Sequence, residues 1–298
     1  MRLKPVPIVA AEGFCDPAAG DEQRARSLVA ALRQHIARMD GSAQRFDRRR
    51  RAAAAPWATG IAAVDAHLPL GGLARAGLHD VTPAAYGDSA AAMAFVVALA
   101  LSAFAADARD RRPLLWCRLQ NEAREHGKLY GHGLEALGLP RARFLTVTLK
   151  TPMAVLWTME EALRSGALSL VIADADPRSA DLTATRRLVL AGGAGRAAGL
   201  LVFTRDAGAA TASHTRWRVA SAPSQAPPHD AQAPGAPAWT IELTRARGGR
   251  PGLWQMEWQH APHRFNLVSG LSGGAFHPHA DENGIAPAGE AGAALRAG

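Results

Sequence analysis

Residues 82–89, TPAAYGDS, follow a short apolar run and precede a long one, and they hold the spacing most able to do chemistry. In nucleoside-triphosphate binding loops the spacing Gly-x4-Gly-Lys-Ser/Thr sits at such a strand-to-helix turn. There the backbone N–H groups wrap the phosphates, the Lys neutralises them and the hydroxyl holds the metal. In this chain the first Gly position is Thr82, followed by Pro83; the second is Gly87, the Lys position is Asp88, and the hydroxyl survives as Ser89. At about 4 Å, an extra negative charge facing a phosphate is unfavourable by roughly 1 kcal/mol in water and by several times that in a less polar pocket. A carboxylate at a helix N-terminus is itself stabilised by the partial positive charge and free N–H groups there. Asp88 is therefore expected to fill the anion site from within, as part of a structural turn whose bend Gly87 and Ser89 preserve.

Two groups of arginines could grip phosphates. Arg48, Arg49, Arg50 and Arg51 lie in a dense basic run, and Arg245, Arg247 and Arg250 surround a Gly-rich turn with Trp254 and Trp258 nearby. Both patterns fit contact with DNA or a partner, and both also fit a solvated charged surface. Trp254, Met256 and Trp258 alternate, so they share one strand face, expected to be core. His260, His263, His277 and His279 have no Cys or carboxylate completing a recognisable geometry, so no metal site is expected. A Ser-His-Asp hydrolase lacks its G-x-S-x-G elbow.

The elements that must position these residues can be read in order. Residues 21–39 place Leu28, Leu32 and Ile36 four apart, with Val29 and Met39 widening the stripe, which describes an amphipathic helix. A polar and basic linker follows up to residue 56. Apolar runs at 78–81, 114–117, 144–149, 168–173 and 199–204 read as strands, and they alternate with helical stretches at 90–106, 124–137, 152–165 and 179–191. Thr151 suits an N-cap, Pro152 the first helical position and Gly166 the C-terminal cap. Such alternation predicts an α/β fold with a mainly parallel sheet covered on both faces. Strands at 216–220, 239–245, 253–258 and 264–268 follow, the middle pair forming an antiparallel hairpin with its turn at 248–252. Residues 221–238, rich in Pro, Ala, Ser and Gln, are expected to be a disordered insertion, and 269–298 a disordered tail. The resulting division is an N-terminal arm at 1–56, a core domain at 57–268 and the tail.

The chain is long enough to bury a full core, with 298 residues, 48% hydrophobic and 20% charged. Its net charge of +8 and pI near 10.6 fit a polyanionic partner, while the Arg, Ala, Gly and Pro usage equally fits a biased genome. Cys15 and Cys117 lie far apart, and Cys117 ends an apolar run, as expected of a reduced, cytoplasmic protein. The N-terminal apolar run, interrupted by Pro5 and Pro7, does not form an export signal. Residues 90–106 lack charge but are diluted with Ala and shorter than the roughly 20 apolar residues a membrane span needs, so a buried helix and no membrane association are expected.

Thr59-Gly60 followed by Asp65, then Gly71-Gly72-Leu73 and a strand into the loop position, resembles the start of the RecA-like ATPase core. LLWC at 114–117, LEALGL at 134–139, HTRWRV at 214–219 and LTRARGGRPG at 243–252 make the chain similar, over residues 57–268, to the ImuA family. The members of that family are RecA-like accessory proteins of error-prone translesion synthesis. The resemblance implies a RecA-like core with a degenerate Walker A loop. Asp174, ending LVIAD, falls on the Walker B carboxylate, and Gln120 falls near the place of the catalytic acid. It further implies a protein that is not an enzyme and needs no ATP or other cofactor. Its expected role lies in SOS-induced DNA damage tolerance, with the polymerase-like ImuB as partner and RecA or DNA as further ones. A SulA-like cell-division inhibitor binding FtsZ and an ATPase with an atypical phosphate loop are the alternatives that the same residues leave open.

Overall fold

The structure is a computed structural model that describes residues 56–107, 109–205, 210–224, 226, 230, 233–259 and 264–270. The amphipathic stretch at 21–39 and the basic run at 45–51 lie outside the described residues, as does the tail beyond residue 270. Nine strands form one sheet in the order β3-β2-β4-β5-β1-β6-β7-β8-β9. They are β1 (Leu78–Pro83), β2 (Leu114–Leu119), β3 (Phe144–Leu149), β4 (Leu170–Ala175), β5 (Ala198–Phe203), β6 (Thr215–Ser221), β7 (Ala238–Ala246), β8 (Gly252–Gln259) and β9 (Arg264–Gly270). Strands β1 to β6 pair in parallel, and β7 to β9 add antiparallel strands beyond β6. The expected α/β class with its C-terminal antiparallel hairpin is the fold observed, a RecA-like core.

Among the described residues the helices are α1 (Ala62–Asp65), α2 (Ser89–Ala106), α3 (Gln120–Glu125), α4 (Gly131–Ala136), α5 (Pro152–Arg164) and α6 (Leu182–Gly195). α5 starts as its sequence dictates: the Thr151 side chain accepts from Ala154 N at 3.2 Å, Pro152 needs no N–H partner, and Gly166 follows at a φ of 69°. α6 begins later than expected because Asp181 is its N-cap, accepting from Ala184 N at 2.7 Å. The helical stretch expected at 124–137 is two short helices. Gly127, at a φ of 81°, turns the chain between them.

One face of the sheet packs on α5 and α6, and the other on α2. Strands β1, β4 and β5 are buried along their whole length, as central strands covered on both faces must be. α2 is apolar all round, and burial accounts for this: Phe95 to Ala103 are all buried, and the Trp57 indole N–H donates to Ser102 Oγ at 2.9 Å. Phe95 sits between Trp217, Trp239 and Phe265, ring centroids 6.0, 6.0 and 5.7 Å away. Trp254, Met256 and Trp258 join this core, as their alternation predicts.

The Thr-Gly-x4-Asp signature has a structural task. The Asp65 carboxylate at the end of α1 accepts from Thr59 N at 2.8 Å, Thr59 Oγ1 at 2.9 Å and Gly60 N at 3.2 Å, closing a loop on itself. Gly72 allows the close approach beside it: a Cβ there would lie 2.7 Å from Trp57 O. Backbone bonds between Trp57 and Leu73 lock this segment ahead of β1.

Candidate functional site

β1 runs two residues further than the stretch 78–81, through Thr82 and Pro83. Thr82 is thus a strand residue, its hydroxyl donating to Trp217 O at 3.1 Å, and Ala84 N donates to Val219 O at 2.8 Å. The loop proper is residues 84–88, with a 3-10 turn over Tyr86–Asp88 leading into α2. Asp88 is buried, and its Oδ1 accepts from Ser221 N at 2.9 Å and Ser221 Oγ at 2.8 Å, while Oδ2 accepts from Ala85 N at 3.2 Å.

This corrects the expected role of Asp88 at the helix terminus, because its side chain caps no N–H of α2. The backbone there, at φ −86° and ψ 4°, is not the extended N-cap conformation that aims a side chain back at its own helix. The carboxylate turns instead to the end of β6 and ties the loop to the sheet. Gly87 is also corrected. A Cβ there would meet nothing within 4 Å, and Gly87 is not among the positive-φ glycines, so the bend does not depend on it. Ser89 does hold the turn, its hydroxyl lying 2.7 Å from Tyr86 O and 3.3 Å from Thr204 O.

Asp174 stands near the end of β4, and both its oxygens are engaged. Oδ1 accepts from the Trp116 indole N–H at 2.9 Å; Oδ2 accepts from Arg118 Nε at 2.7 Å and Leu119 N at 3.1 Å. Arg118 and Asp174 are both buried, forming an interior ion pair. A charge inside an apolar strand requires a partner. The Arg in LLWCRL was therefore the signal, unused in the sequence reading, that β2 would answer Asp174. Cys117 beside it is fully buried, and that burial pushes its thiol up to about 12.

Gln120 begins α3, and the carboxylate facing this region comes from Glu122, two residues on. Glu122, His126, Arg118, Asp174, Ser89 and Thr204 line a cavity of about 10 Å³. A space of that size holds about one water molecule. Burial holds the Glu122 carboxyl above the usual range. Tyr86, exposed at the loop tip, donates its O–H to Glu125, which raises the Tyr86 pKa.

The basic residues part company. Arg48, Arg49, Arg50 and Arg51 lie outside the described residues, as do His260, His263, His277 and His279. Arg245 donates to Thr211 O at 2.8 Å, and burial followed by the charge of Arg247 lowers its pKa. Arg245, Arg247 and Arg250 are all exposed beside the hairpin turn. Below them Asp80, fully buried in β1, accepts from the hydroxyls of Thr211 and Ser213 and lies 3.5 Å from Arg216. Between α5 and α6 lies a groove of about 340 Å³ lined in part by the exposed Met153 and Trp157, and α6 also exposes Leu182 and Leu190.

Fold and site together define a RecA-like α/β domain whose phosphate loop carries its own buried carboxylate in place of the Lys. No family model matches the chain. It is 36% identical over 230 residues to Protein ImuA of Caulobacter vibrioides (strain NA1000 / CB15N), a match covering 72% of this chain and 88% of that protein. Protein ImuA of C. vibrioides strain ATCC 19089 / CIP 103742 / CB 15 matches to the same extent. The chain belongs to the ImuA family.

Proposed function

We propose that this protein is a non-catalytic accessory factor of DNA damage tolerance, acting in the cytoplasm by holding a polymerase-like ImuB partner, with RecA and DNA as further ligands. The observation that carries this reading is the pair of Asp88 bonds to Ser221. The group at the Lys position is an anion, and it is committed to the fold. Asp174, with both oxygens occupied and Arg118 beside it, offers a metal-bound phosphate nothing further. The space between Ser89 and Asp174, about 10 Å³, is that of about one water molecule.

Partner binding also has a surface to support it. Met153, Trp157, Leu182 and Leu190 are each more than half exposed on neighbouring helices. Met153 and Trp157 line the groove between these helices, and contiguous exposed apolar side chains of this kind mark interaction sites. Trp157→Glu tests this reading, because the side chain is 61% exposed and its replacement leaves the core intact. In a pull-down with purified ImuB and RecA, the wild type should retain ImuB, and Trp157→Glu should retain at least about tenfold less, the loss of one hot-spot aromatic. A wild-type protein that retained neither partner would refute the proposal, as would calorimetric Mg-ATP binding that Asp174→Ala abolished.

A further inference from the structure

We propose that Glu122, Glu125 and His126 form a site for one divalent transition-metal ion of the Zn²⁺ class, a property independent of the partner-binding reading above. The three residues follow the spacing i, i+3, i+4 along α3 and its C-cap, which brings their side chains to one face. One ligand atom from each lies within 4.8 Å of the others. With metal–ligand bonds of roughly 2.0–2.2 Å, donors around one tetrahedral ion lie about 3.3–3.6 Å apart, so rotation of the Glu122 and Glu125 carboxylates is needed to close the set.

A second observation comes from atoms that the fold leaves without a hydrogen-bond partner. Glu122 Oε2 and His126 Nε2 are both buried and unbonded, though 3.4 Å apart. Arg118, whose side chain is 3% exposed, has Nη2 in the same condition, and the three side chains line the same small cavity. Buried polar atoms are nearly always hydrogen-bonded, so three without a hydrogen bond around one water-sized space call for an occupant. A metal ion satisfies the first two. A water or hydroxide completing its coordination in the cavity accepts the remaining N–H of Arg118.

Charge and ligand type agree. Arg118 is balanced by Asp174, which leaves the carboxylates of Glu122 and Glu125 for a divalent ion to neutralise. An imidazole with two carboxylates suits Zn²⁺ or Mn²⁺, whereas Mg²⁺ prefers oxygen ligands alone. Tyr86, by donating to Glu125, acts as a positioning residue from the loop. The competing explanation is a simple Glu122–His126 ion pair.

The test is calorimetric titration of the untagged, chelator-stripped full chain with Zn²⁺, Mn²⁺ and Mg²⁺, on a His277→Ala/His279→Ala background that removes the C-terminal histidines. One Zn²⁺ per chain is expected, with affinity reduced at least about tenfold in Glu122→Gln and His126→Ala and less in Tyr86→Phe. Glu125→Gln alters an exposed side chain and so reports on the site even where His126→Ala disturbs folding. No saturable Zn²⁺ binding would overturn the proposal and leave the ion pair as the explanation, as would binding unchanged in Glu122→Gln, Glu125→Gln and His126→Ala. Neither result bears on retention of ImuB.

Discussion

Asp174→Ala strands the guanidinium of Arg118 in the interior, together with the N–H groups of Trp116 and Leu119. Removing one partner of a buried ion pair costs about 3–5 kcal/mol, whereas replacing both by apolar groups is often nearly neutral. Urea unfolding should show that loss for Asp174→Ala, and Asp174→Leu/Arg118→Met should recover much of it. Asp80 supplies a pH signature. Burial, the largest influence, holds its carboxyl above 3.8, against the lowering effects of Ser213, Thr211 and Arg216. The folded state therefore keeps this proton to higher pH than the unfolded chain does. Its contribution to stability is full below 3.8 and is lost as pH rises through the folded-state value. Urea midpoints across that window should fall with rising pH in the wild type, and Asp80→Asn should flatten that part of the slope.

At the level of elements, two short signals do measurable work. Thr151 caps α5 through Ala154 N, and Thr151→Ala should lower stability by about 1 kcal/mol in thermal or urea unfolding. Gly72 lets the segment before β1 pass against Trp57. In Gly72→Ala the new methyl would press on backbone that is locked by Trp57–Leu73 bonds, with an expected cost of about 1–3 kcal/mol. Gly87→Ala serves as the contrast, since space is open there and a small effect is expected. The punctuation of α5 and the alternation in β7 and β8 were readable because each depends on neighbours a few residues away. The helix expected at 124–137 was not, because the break at Gly127 leaves too few residues on either side for a periodic stripe to emerge.

For the molecule as a whole, the loop is the joint between β1, α2 and the end of β6. Asp88→Lys would restore the cation of an active phosphate loop while removing the acceptor of both Ser221 donors. Hydrogen bonds to a charged group contribute about 1.5–3 kcal/mol each, so the variant should be destabilised in urea unfolding. It should also show no ATP hydrolysis in a phosphate-release assay, because Arg118 still holds Asp174 and the space beside Ser89 stays small.

The order of apolar runs and helical stretches was enough to establish a parallel α/β core with an antiparallel C-terminal extension. Period and punctuation are properties of consecutive residues, and the central strands β4 and β5, buried on both faces, appear as mainly apolar runs, whereas β1 carries His79 and Asp80. The substitution of Asp88 for Lys was equally visible. What the Asp88 carboxylate binds was decided by tertiary structure alone. Ser221 is 133 residues away along the chain, and Arg118 stands 56 residues from Asp174. Such partners meet only when β6 is laid beside β1 and β4 beside β2. The same pairing turned a loop that local chemistry describes as a helix cap into a bridge across the sheet.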